Sequence, residues 1–168
     1  LEEEVRDLLV ACGLQETISY SLTNLSREAA LDPSQSEADL DPEIYVTLTN
    51  PITRERSVLR RNLLASLLET TAANLRFRDR VEVFEIGKVF LLRADDELPE
   101  EPRRLALAMV GPRDTRHWLT AGGPELDYFD LKGVVETLLA RLHVTGTYEA
   151  AEHAAFQPGR AARLSVGE

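Results

Sequence analysis

NPITRERSVLRRNLLASLLETTAANLRFRDRVEVFEIGKVFLL, residues 50–92, decides the fold. After Ser57 it predicts a helix: Leu64, Leu67, Leu68, Thr71 and Leu75 recur at helical spacing and line one face. Residues 81–92 predict a strand with two apolar faces, Val81, Val83 and Val89 on one and Phe84, Ile86 and Phe90 on the other. Such a strand needs cover on both sides, which puts it at the centre of a domain. Glu85 falls on an apolar face, where a carboxylate must be paired or hydrogen-bonded; it reads as a contact in a binding cleft or, preferably, as the partner of an arginine of the preceding basic segment. Gly87 interrupts the side-chain pattern and predicts a bulge or the close approach of another backbone.

Working outward, residues 1–12 read as an amphipathic helix, with Val5, Leu8, Leu9 and Cys12 on one face and Glu2, Glu3 and Glu4 at its positive end. Gly13 is placed to end it. Residues 17–22 alternate and predict a strand. Asn24 or Ser26 caps a short helix, and a mobile acidic loop is expected after Leu31; it lacks the spacing of a calcium loop. Residues 44–48 predict another strand, and Asn50-Pro51 a turn into the central helix. Beyond residue 92, an acidic proline-bounded loop spans 94–102, with Asp95-Asp96 and Glu100-Glu101 read as solvated pairs. Residues 104–110 predict a strand, and 113–124 irregular chain in which His117-Trp118 either stacks on a base or closes over a pocket, or, as is commoner, Trp118 anchors a loop onto the core. Residues 127–142 predict a helix with an apolar face of Leu131, Val134, Val135, Leu138, Leu139 and Leu142. Asp127 or Asp130 caps it, and Gly133 is tolerable there if something packs closely. Residues 145–149 and 161–166 predict strands on either side of a turn at Gln157-Pro158-Gly159.

The 168 residues suffice for one domain with a sizeable core. Their apolar content of 43 % is ordinary for a soluble globular chain, and no run approaches a membrane span. Cys12 is the only cysteine, which excludes an internal disulfide and fits a reducing, cytoplasmic setting. The net charge of −10 opposes a free-standing nucleic-acid binder. Residues 54–80 nevertheless hold seven arginines against three acids, predicting a solvated, ion-paired helix face or a surface that meets an acidic partner. His117, His143 and His153 lack metal-ligand spacing with each other and with Cys12. No phosphate loop, nucleophile elbow or dinucleotide fingerprint is present.

Val83-Phe84-Glu85-Ile86-Gly87-Lys88-Val89-Phe90 resembles the first strand of motif 2 in class II aminoacyl-tRNA synthetases. In catalytic members the strand runs on into an arginine that binds the ATP α-phosphate and then a glutamate. Here Leu91 and Arg93 hold those places, and leucine offers a phosphate neither charge nor hydrogen bond. Four segments in order then resemble the non-catalytic core of the phenylalanyl-tRNA synthetase beta-chain family. They are Asn50-Pro51 with Ser57-Val58-Leu59-Arg60, Phe84-Glu85-Ile86-Gly87, Phe129-Asp130-Leu131-Lys132-Gly133, and Pro158-Gly159-Arg160-Ala161-Ala162. Cys12-Gly13-Leu14-Gln15-Glu16 with Ile18-Ser19-Tyr20-Ser21 is similar too. Gln157, Tyr128 and Ala65-Ser66 depart from the family's frequent histidine, phenylalanine and Pro-Gly.

The resemblance implies an α+β fold, a class II synthetase-like antiparallel sheet flanked by helices. It implies a single core domain over residues 1–168; the opening at Leu1 without a start methionine and the close at Glu168 directly after a strand suggest a piece cut from a longer chain and short of a C-terminal partner strand. The implied role is a non-catalytic module that assembles with a catalytic alpha chain into an α₂β₂ enzyme, which charges tRNA(Phe) with phenylalanine using ATP and magnesium. The fragment itself is expected to hold no cofactor or metal and to bind tRNA weakly or not at all. Asn50, Arg60, Arg61, Glu85, Gly87, Asp130, Gly133 and Arg160 are the candidate structural or partner-contact residues. The competing readings are an active class II-like paralogue, which needs cations placed on ATP, and an RNA-binding module built on the basic segment.

Overall fold

A computed structural model describes residues 1–93, 98–115, 117–119 and 122–167. The chain order is α1 (Glu2–Ala11), β1 (Gln15–Glu16), β2 (Leu22–Thr23), α2 (Leu25–Ala29), β3 (Val58–Leu59), α3 (Leu64–Asn74), β4 (Val81–Lys88), β5 (Arg103–Val110), α4 (Tyr128–Arg141), β6 (Gly146–Ala151) and β7 (Ala161–Val166). β4 is the middle strand of a three-stranded sheet, parallel to β1 and antiparallel to β5. β2–β3 and β6–β7 are separate antiparallel pairs.

The two apolar faces of β4 are covered as its sequence requires. On one face, buried Phe84 packs with Leu9 and Leu14, joined by Val5, Ile86, Leu105, Leu107, Met109 and Val134. This brings α1 and α4 to that side of the sheet. On the other face, Val81 and Val83 pack with Leu67 of α3, beside Ala106, Ala108 and Val110 of β5. Each fully buried leucine or phenylalanine contributes about 1.5–3 kcal/mol of transfer free energy. α1 ends at Gly13, whose φ of +96° suits a residue without Cβ.

Several local expectations are corrected. The central helix starts at Leu64, because Val58–Leu59 is diverted into pairing with β2. Asn50-Pro51 therefore turns the chain toward β3 rather than directly into α3. Residues 17–20 are not a strand: Thr17 N–H still donates to the Phe84 carbonyl at 2.8 Å, but Ser19 N–H turns to the Glu85 carboxylate at 3.3 Å. Residues 44–48 are not a strand either. A 3₁₀ turn over Pro42–Ile44 takes up their start, and Thr47 alone forms a bridge to Val58. The central strand ends at Lys88, not residue 92.

Trp118 is 90 % exposed and anchors nothing onto the core. Nothing lies within 4 Å of a Cβ built on Gly133, so no close packing explains that glycine. Residues 94–97, including Asp95-Asp96, and residues 116, 120 and 121 lie outside the described part. The remaining expectations for α1, the Asn24 cap, β5, α4 and the final two strands agree with the structure to within a residue or two.

Candidate functional site

The inner face of β4 holds a buried polar cluster. Arg60 and Glu85 are 3 % and 2 % exposed, and Arg60 Nη1 donates to Glu85 Oε1 at 2.6 Å. Nη1 also donates to Ser19 Oγ at 2.8 Å, and Nε donates to the Lys88 carbonyl at 3.0 Å. Ser19 Oγ in turn donates to Glu85 Oε2 at 2.8 Å. The backbone of Arg60 is held as tightly: its N–H donates to the Ser21 carbonyl, and its carbonyl accepts from Phe90 N–H, both at 2.9 Å. One residue thus joins the segment after β1, the chain before α3 and the end of β4.

Gly87 keeps its place in the ladder opposite Arg104, so it is not a bulge. A Cβ there would collide with Arg60 Nη2 and lie 3.3 Å from both Arg60 Cζ and Glu85 Oε1. The approaching group is therefore a side chain, not another backbone. The glycine makes room for the guanidinium, and the glutamate neutralises it.

A second buried carboxylate lies nearby in the fold. Glu28 of α2 accepts from Asn62 Nδ2 at 2.7 Å, while Asn62 Oδ1 accepts from the N–H groups of Leu64 at 2.9 Å and Ala65 at 3.3 Å. Asn62 therefore caps the start of α3 and ties it to α2. Burial pushes the Glu28 carboxyl up to about 7, against the opposing pull of the Asn62 hydrogen bond and the Arg61 charge. The Arg61 guanidinium lies 5.4 Å from the centre of the Tyr45 ring, and its buried Nε has no hydrogen-bond partner.

The eight residues singled out by sequence separate accordingly. Arg60, Glu85 and Gly87 share one cluster, and Arg61 belongs to the neighbouring Glu28–Asn62–Tyr45 group. Asp130 is distant in role: it accepts twice from Arg113 at 2.9 Å and completes the capping box with Asp127 at the start of α4. The Arg113 guanidinium, then the backbone N–H of Asp127, hold its carboxyl below the usual range. Asn50 sits in an exposed bend, Gly133 on the open side of α4, and Arg160 in the exposed turn closed by its N–H to the Gln157 carbonyl at 3.0 Å. Ser19, Glu28 and Asn62 were not singled out. Asn62 had a signal, a good capping residue just before Leu63-Leu64. Ser19 and Glu28 had none: Ser19 lies in a stretch that reads as an alternating strand, and Glu28 in a polar run.

These residues do not fit a nucleotide phosphate. Leu91 bridges to Glu100 through its backbone, and Arg93 is 2.9 Å from the Glu100 carboxylate. Lys88 is paired with Glu101 at 2.7 Å. Arg60 is buried with its charge matched by Glu85 and three of its donors used. A phosphate site needs cations aimed at the ligand and left unmatched until it arrives. Among the described residues no group of three or more histidines, cysteines or acids could hold a metal ion. Among them too, no helix is long and apolar enough to cross a membrane.

Comparisons with known proteins agree with this picture. A family profile described as phenylalanyl tRNA synthetase beta chain CLM domain matches residues 1–168. The phenylalanine–tRNA ligase beta subunit of Syntrophus aciditrophicus (strain SB) is 37 % identical over 100 % of this chain and 21 % of its own length. That of Bacillus subtilis (strain 168) is 35 % identical over 96 % of this chain and 19 % of its own. The chain thus spans about a fifth of the length of these relatives. Two solved structures of pyrrolysyl-tRNA synthetase from Desulfitobacterium hafniense superpose with TM-scores of 0.65 and 0.66. Each covers 99 % of this chain, and the chain covers 52 % and 53 % of them, at 15 % and 16 % identity. That likeness concerns the fold, and it is the class II synthetase fold.

Proposed function

The chain belongs to the phenylalanyl-tRNA synthetase beta chain family, as its CLM domain, and we propose from this that it is a non-catalytic core module of a phenylalanine–tRNA ligase. Its role is to hold a catalytic alpha chain in an α₂β₂ assembly in the cytoplasm. In that assembly the alpha chain takes ATP, magnesium and phenylalanine, and the whole charges tRNA(Phe).

One observation carries the reading. β4 keeps its central place between two helical layers, while its inner face is filled by the Arg60–Glu85–Ser19 cluster and the phosphate-binding position holds Leu91. A scaffold kept intact after its cation is replaced has architecture as its remaining task. The same geometry speaks against the active-paralogue reading, because among the described residues Arg60, Lys88 and Arg93 are each paired with a carboxylate.

Amino-acid-dependent exchange of pyrophosphate into ATP tests this. The full-length beta chain alone is expected to show none, and adding the alpha chain to give it. Exchange by the beta chain alone, or no complex between the two chains on size exclusion, would overturn the proposal.

A further inference from the structure

Residues 25–45 are seated on the rest of the chain at few points. α2 spans five residues, and Glu28 and Ala29 are its buried ones. From Ala30 to Ser57, Tyr45 is the only buried residue. The turns between close on themselves: the Asp39 carboxylate accepts from Ser36, and Asp41 from the Glu43 N–H. Both buried points rest on the link between β3 and α3, Glu28 on Asn62 and Tyr45 on Arg61. A further tie, Arg27 to Glu69 at 3.0 Å, is exposed and contributes little.

We propose that Glu28 is a proton-operated latch for this segment: as a neutral acid it keeps α2 and Tyr45 seated, and on losing its proton it lets them lift before the sheet opens. The ionisable groups that face it are Arg61 and Tyr45, while Arg27 on its own helix turns away to Glu69. Its hydrogen-bond donor, the Asn62 amide, is neutral. Arg61 is the near cation, but it lies over the Tyr45 ring, and its buried Nε has no hydrogen-bond partner among the described residues. A carboxylate at this place is shut from water with no salt bridge among the described residues, which disfavours its charged form. Lifting a five-residue helix is the shortest route by which that charge regains water.

Burial pushes the seated carboxyl up to about 7. Once lifted it returns to the ordinary 4.5, so lifting is favoured as pH rises through that window. Linkage makes it about tenfold easier at pH 8 than at pH 6. His153 is the competing source of pH dependence, because its charge bears on Asp32 of the same segment. It is exposed, so water and salt screen that effect.

Hydrogen exchange of the full-length beta chain at pH 6 and pH 8, read by mass spectrometry with labelling times scaled to the intrinsic rate at each pH, tests this. Peptides covering residues 25–31 and 42–48 are expected to be less protected than β4 at both, and to lose about tenfold in protection between pH 6 and pH 8. Protection that does not change with pH, or that equals that of β4, overturns the proposal. Glu28→Gln keeps the shape of the side chain without a charge, so it is expected to abolish the loss, with β4 protection confirming that it folds. His153→Gln changes an exposed residue and is expected to leave the loss in place. A loss that survives Glu28→Gln, or disappears in His153→Gln, assigns the pH dependence elsewhere and overturns the latch.

Discussion

Replacing Glu85 with glutamine leaves the Arg60 guanidinium buried without its counter-charge. Two unit charges about 3 Å apart attract by roughly 5 kcal/mol at an effective dielectric constant of about 20. Desolvation offsets much of that gain while the pair is intact, but not when one partner is removed. The expected loss is therefore about 3–5 kcal/mol for Glu85→Gln, and similar for Arg60→Met. Against a total stability on the order of 5–15 kcal/mol, either is a large fraction. The double variant Arg60→Met, Glu85→Gln removes both charges and leaves groups of similar size in their place. It is expected to lose less than the sum of the single variants by about 3 kcal/mol or more. Urea unfolding followed by far-ultraviolet circular dichroism gives all four corners of the cycle. Additive losses, within about 0.5 kcal/mol, would refute the claim that the two residues act as a buried pair.

Gly87→Ala is expected to cost about 1–3 kcal/mol, because the new methyl meets a pinned guanidinium; in an Arg60→Ala background the same change becomes neutral or stabilising, and urea midpoints read both. Glu28 holds its proton up to about 7 when folded, against 4.5 for the ordinary carboxyl. The folded state thus binds more protons across that window, and its stability falls by roughly 3 kcal/mol as pH rises through it. Glu28→Gln removes that slope, so the variant matches the unaltered chain below pH 4.5 and exceeds it at pH 8; equal midpoints at pH 8 would count against a buried carboxyl. Asn62→Ala strips the α3 cap and the Glu28 hydrogen bond together. A loss of about 2–4 kcal/mol is expected in the same assay.

The central architecture was legible because it rests on periodicity. β4 announced its place by bulky groups on both faces, and α1, α3 and α4 by their helical stripes. The buried pair was half legible: Glu85 on an apolar face demanded a partner, and the basic segment supplied candidates, but only the folded chain selects Arg60 among them. What failed were segments whose backbone is claimed by side chains or by distant chain. Residues 17–20 alternate like a strand, yet the Glu85 carboxylate takes the Ser19 N–H that a ladder would need. Val58–Leu59 reads as helix start, yet pairs with the distant β2 in the register Leu22↔Leu59 and Thr23↔Val58. Gly87 was read as a backbone device, but its meaning lies in a side chain 27 positions earlier. Glu28 sits in the polar run Leu25–Ala29, and nothing local marks it as buried.

Nucleotide binding most directly separates a scaffold from an adenylate-forming site. Titration calorimetry of ATP and phenylalanine into this chain is predicted to give no saturable heat, since Arg60 is matched by Glu85, Lys88 by Glu101 and Arg93 by Glu100. Saturable binding of ATP that Arg60→Met abolishes would contradict it, by showing that the buried arginine still serves a phosphate.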